Sequence, residues 1–288
     1  MKAQGPHEVW IEGIGFWSSG LPGWALAAAA LRGGHGATNT PARRPVGALL
    51  AANERRRAPD SVLLALEVAQ AAVQASGRAA DTLASVFTST YGDLPIIDAL
   101  CRTLASDPLL LSPLRFHHSV HNAASGYWAI GSGSRLPSTA LAAGPHSFAA
   151  GLLEAAVACV ADEVPTLLVG HDCAACGPLA TVNPSRGLLG VALVLSPRRT
   201  PAARWRLGWS LGSGPPMPAA AVSAAATALA GNAHAGALPL FEALAQELPA
   251  DLDLALSEML HLALVLQPAA LAAGASSRPS LLLDSATP

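Results

Sequence analysis

Two runs of unbroken apolar residues constrain the fold most. Thr166-Leu167-Leu168-Val169 lies between Pro165 and Gly170, and Leu188 to Leu195 reads Leu-Leu-Gly-Val-Ala-Leu-Val-Leu. Strands that lack a polar alternate face sit in a sheet covered on both sides. Helical patterns separate the strand patterns. Val9-Trp10-Ile11-Glu12-Gly13-Ile14-Gly15 alternates and runs into a glycine turn. Residues 22–32 are predicted helical, and 33–58, rich in Gly, Pro and Arg, are predicted loop. Asp60 and Ser61 cap a predicted helix over 61–76, with Leu64, Val68, Ala71 and Ala72 at helical spacing. Leu83 to Ser89 reads as a buried strand and Ile96 to Leu104 as a short helix. Pro108 and Pro113 bracket an apolar loop, Leu109-Leu110-Leu111. His117 to Ile130 is predicted to be one helix, weakened by Gly126. Arg204 to Leu211 alternates like an edge strand. Strands alternating with helices imply an α/β fold built from βαβ units.

The texture changes after residue 197. Residues 212–236 are rich in Ala, Gly and Pro, with one helical stretch at 219–230. Residues 238–247 look helical, Met259 to Leu266 fits either strand or helix, and the tail 275–288 is expected to fray. The expected division is an N-terminal domain over 1–197 and a shortened region over 198–288.

Charged residues make up only 12% of the 288, with a net charge of -2. That balance excludes nucleic acid as the main ligand, because phosphate binding needs a basic face. So few charges fit a surface partly covered by a partner. They equally fit an alanine-rich chain from a high-GC genome, where arginine replaces lysine and Lys2 stands alone. The one dense basic cluster, Glu54-Arg55-Arg56-Arg57, reads as a solvated helix start or as a dock for an acidic carrier protein. Met1 to Glu8 has no apolar signal core, and no membrane-spanning helix is expected, since 219–230 is too short. Four cysteines, at 101, 159, 173 and 176, suit a reducing cytosol. Cys173-Ala-Ala-Cys176 is a lone pair without a zinc partner set.

The segment Ser138-Thr139-Ala140-Leu141-Ala142-Ala143-Gly144-Pro145-His146-Ser147 has a definite shape. A short strand stops at small residues, and a helix starts over 146–161. Such a bend sets its turn residue against free helical N–H groups, which favour a thiolate or an oxyanion. The residue there is Leu141, which can neither attack nor donate.

This segment resembles the elbow of the ketosynthases of the thiolase superfamily. That elbow reads Thr-Ala-Cys, two small residues, Gly, and a His two positions on. Here it is Thr139-Ala140-Leu141-Ala142-Ala143-Gly144-Pro145-His146. Ser112-Pro113-Leu114-Arg115-Phe116 and Ser119-Val120-His121-Asn122-Ala123-Ala124-Ser125-Gly126 are similar to the family's Pro-x-x-Phe and Asn-x-x-x-Gly stretch. Val9 to Gly15, Thr166 to Gly170 and Gly187 to Leu195 resemble its strands. The resemblance implies a thiolase-like α/β fold, a half-thiolase αβα core with a truncated C-terminal region. It puts Leu141 where the family carries its nucleophilic cysteine. The family's two histidines stand in His-Gly-Thr and Gly-Gly-His-Asn contexts. His234, in Asn-Ala-His-Ala-Gly, and His261, in Met-Leu-His-Leu-Ala, match neither.

Condensation needs a thiol and imidazoles. The resemblance therefore implies a chain length factor, as in aryl polyene or xanthomonadin-type systems. It would be non-catalytic and cofactor-free, paired with an active ketosynthase and served by an acyl carrier protein. Leu109, Leu110, Leu111, Phe116, Ser119, Asn122, Tyr127, Trp128, Ser138, Thr139, Ala140, Leu141 and His146 are its expected interface or tunnel residues, each weighed against ordinary core packing.

Three other readings compete. Gly208-Trp209-Ser210-Leu211-Gly212 matches a hydrolase elbow, with Asp251 or Asp253 and then His261, but Ser213 to Pro218 cannot begin the required helix. His117, His118 and His121 could offer metal ligands, with His117 and His121 at i, i+4 spacing on the predicted helix. Ser138 or Thr139, beside His146, could serve an acyl-binding or acyltransferase homodimer.

Overall fold

The computed structural model describes residues 7–33, 43–217 and 223–272. In chain order the elements are β1 (His7–Ser18), β2 (Leu21–Pro22), α1 (Trp24–Leu31), α2 (Ala52–Arg57), α3 (Asp60–Ser76), β3 (Ala84–Thr88), α4 (Leu94–Ser106), α5 (Pro113–Ser119) and α6 (Ala123–Ser132). Then come β4 (Ser138–Leu141), α7 (Ser147–Ala161), β5 (Thr166–Asp172), α8 (Leu179–Val182), β6 (Leu189–Ser196) and β7 (Trp205–Ser213). The last are α9 (Ala224–Leu229), α10 (Leu238–Gln246), β8 (Ala250–Ala255), β9 (Leu260–Pro268) and α11 (Ala269–Ala272).

All nine strands form one mixed sheet, in the order β4-β3-β5-β6-β1-β7-β9-β8, with β2 added to β1. Only the β4–β3 and β3–β5 pairings are parallel. Helices cover both faces, which is why β5 and β6 are apolar throughout: every one of their residues is buried. On one face α3 lies flat against β1. Gly13 and Gly15 allow this, since a Cβ at either would strike the α3 backbone at Ala72 or Val68. The other face carries α1, α7 and α10 over a core of Phe16, Phe148, Leu152, Leu193 and Phe241.

Several expectations are corrected. Arg204 to Leu211 is not an edge strand, because β7 lies between β1 and β9. Met259 to Leu266 resolves as strand: Leu262, Leu264 and Leu266 are buried on one face while Val265 turns outward. Arg55 to Arg57 end a helix within the expected loop. The expected helix over 117–130 breaks at extended Val120, well before Gly126. The stretch 219–230 condenses to α9, and its first residues and the tail 275–288 lie outside the described residues. Gly144–Ala161 is long and apolar enough to cross a membrane, contrary to expectation. In the fold it is α7 and its lead-in, packed on β3 and β5.

The sheet has two edges of different character. At β8, Asp251 and Asp253 share one face, and Asp253 engages the Met217 amide at 2.9 Å. At β4, strand residues 138–141 pair with β3 alone.

Candidate functional site

Leu141 is the last residue of β4, beside Thr88 of β3. The chain then turns through Ala142–His146 and enters α7. Gly144 supplies the positive φ of 55° that the turn needs. The Ser147 hydroxyl fastens the bend, accepting from the Ala143 amide at 2.9 Å and donating to the Gly144 carbonyl at 2.7 Å. The Leu141 side chain is half-buried against the core. Its carbonyl accepts from Nε2 of His121 at 2.9 Å. The predicted strand-to-helix bend therefore exists, with Leu141 at its mouth.

Residues 30–252 match the family described as beta-ketoacyl synthase, N-terminal domain. The chain belongs to this family. Its fold is similar to solved structures of ketosynthase complexes. One is a ketosynthase (ApeO) in complex with its chain length factor (ApeC) from Xenorhabdus doucetiae. It has a TM-score of 0.68 and 19% identity, and the match covers 89% of this chain and 98% of that one. The ishigamide ketosynthase/chain length factor gives 0.68 and 16%, over 90% and 99%. The AntDE:AntF assembly, a type II acyl-carrier protein with its ketosynthase, gives 0.67 and 11%, over 91% and 99%. A search of curated protein sequences found no match.

Around the family's elbow position the expected residues divide into surface and core. Leu109 and Leu110 form a short 3-10 turn and are 93% and 72% exposed. Phe116 is 58% exposed, and Leu111 beside it is half-buried. Ser119 donates to the Phe116 carbonyl at 2.8 Å, and Asn122 is exposed ahead of α6. Ser138, exposed on β4, accepts from Ser85 at 2.9 Å, and Thr139 and Ala140 are half-buried. His146 is half-buried at the start of α7. Trp128 is the exception: at 1% exposed it belongs to the core under α3. Tyr127 hydrogen-bonds His118 at 2.9 Å. Eight of the nineteen exposed large apolar residues among the described residues fall between Leu104 and Leu136.

The competing sites do not assemble. The helix break puts His117 on α5 and His121 in the following turn, so they share no helix face. Burial pushes the Cys173 thiol up to about 12, and burial and Asp98 also raise Cys176, so neither is a reactive thiolate. Ser210 lies mid-strand in β7 with no helix after it. His261 shares its sheet face, but Nδ1 turns to the Gly214 carbonyl at 3.1 Å and Nε2 to Asp253 at 3.6 Å.

One pair escaped the sequence reading. Asp172, at the end of β5, accepts from the Ser89 hydroxyl at 2.7 Å, the Thr90 amide at 2.8 Å and the Tyr91 amide at 3.3 Å. Nδ1 of His234 completes the set at 3.2 Å. Burial alone would raise the Asp172 pKa, but His234 and these donors outweigh it and hold the carboxyl below its usual range. His234 is 1% exposed, edge-on to Phe148 at 5.7 Å. Neighbouring His171 is also buried, and burial pushes its pKa down to about 4.

Proposed function

We propose that the chain is a non-catalytic ketosynthase-like subunit, a chain length factor. It pairs with an active β-ketoacyl synthase and shapes an acyl tunnel at their interface. The observation that carries this reading is the β4 edge ending at Leu141, which pairs with β3 alone among the described residues and lies beside α6 with its exposed Ile130, on a chain that also exposes Leu109, Leu110 and Phe116. An unpaired strand beside an apolar surface invites a partner. Leu141 offers no nucleophile, so condensation falls to the partner. The ketosynthase/chain length factor pairs with this fold support the assignment. The exposed Arg56 and Arg57 of α2 suit contact with an acidic carrier protein.

The test is co-expression with an active ketosynthase of the same source, followed by mass measurement in solution. A one-to-one complex, with the chain insoluble or aggregating alone, is expected. A stable homodimer indifferent to the ketosynthase, or condensation by the purified chain alone, would refute the reading.

A further inference from the structure

His234 and Asp172 have the composition of an acid–base dyad. The carboxylate only accepts, and three of its partners only donate to it, so Nδ1 of His234 carries the proton shared with Asp172. Nε2 is then the basic nitrogen, as in a hydrolytic or condensing site. Yet Nε2 is buried without a hydrogen-bond partner. It rests directly over Gly170, where a Cβ would collide with it.

Sheet register locates that nitrogen relative to the elbow. Thr88 of β3 is in register with Leu141 on one side and Gly170 on the other. Two strand spacings therefore separate position 141 from position 170, roughly 9.5 Å of backbone. A nucleophile and its base must approach to about 3 Å. Asn232 fixes the loop, donating to the carbonyls of Asp172, Arg186 and Gly187 and accepting from the His234 amide.

We infer that the buried His234–Asp172 pair is a positioning clasp, holding segment 232–237 across the ends of β3 and β5 with its basic nitrogen closed off from position 141. This rests on the non-catalytic reading and deepens it. On that reading the His234 imidazole stands out of reach of position 141, and position 141 itself carries no thiol.

The experiment introduces a thiol by Leu141→Cys and follows its alkylation by iodoacetamide against pH, resolved by peptide mass spectrometry. The same profile is taken for Leu141→Cys with His234→Gln. The helix N-terminus acts equally on both thiols, so the difference isolates His234. Superimposable midpoints are expected. A midpoint moved to higher pH by about one unit or more on removing His234, a tenfold lower proton concentration, would show that the imidazole reaches position 141, and would overturn the inference. His234→Asn gives the same readout should His234→Gln fail to fold. In either variant, hydrogen exchange is expected to quicken at residues 223–246 and 89–91. Unchanged exchange there would also overturn it. These readouts need no partner, so their failure is distinct from failure to capture a ketosynthase.

Discussion

Nε2 of His121 lies 2.9 Å from the carbonyl oxygen of Leu141, tying the turn between α5 and α6 to the end of β4. A carbonyl only accepts, so Nε2 carries a proton. His121→Phe is expected to lower stability by about 1 kcal/mol, a typical single hydrogen bond. Urea unfolding measures it.

Gly170 and Gly126 should respond oppositely to alanine. At 170 the new methyl strikes the His234 ring, and core overpacking of this kind costs roughly 1–3 kcal/mol or more. At 126, within α6, a Cβ meets nothing within 4 Å. Helix propensity there predicts a gain of roughly 0.5–1 kcal/mol. Thermal unfolding of the two variants gives the comparison.

Stability should fall on mild acidification because of His171. The unfolded chain takes up a proton near 6.5, whereas the folded chain resists it until about 4. Unfolding is therefore favoured progressively between those values, by on the order of 3 kcal/mol at about 1.36 kcal/mol per unit. His171→Asn should flatten this slope. Asp172, held low in the fold, keeps its contribution above its unfolded value of 3.8 and loses it only as pH falls further. Denaturant midpoints followed from neutral pH to well below 3.8 separate the two phases.

Replacing Leu109, Leu110 and Phe116 together by serine should leave the isolated fold intact, since all three are exposed. Co-purification with the ketosynthase should fall at least tenfold. An unchanged yield of complex would place the interface elsewhere.

The parts legible in sequence were those whose residues answer to their own neighbours. β5 and β6 declare themselves because every residue is buried. The elbow shows because small residues and Gly144 leave few alternatives at a strand-to-helix bend. β8 went unread, although Ala250 to Ala255 alternates Asp and Leu with the period of a strand. What was hidden depends on pairing. β7 carries polar residues on one side because that face of the sheet is open, and this looks the same in sequence as an edge. The His234–Asp172 contact spans 62 positions and exists only once β5 and the 232–237 segment meet. Trp128 carried an apolar side chain that suited interface or core equally, and α3 settled it.

The unlike ends of the sheet limit how many molecules can join. A neighbour can add its strand at β4, but the aspartates of β8 discourage a second docking at the far end. Growth by strand addition therefore stops after one step. The architecture favours a closed pair over a fibre.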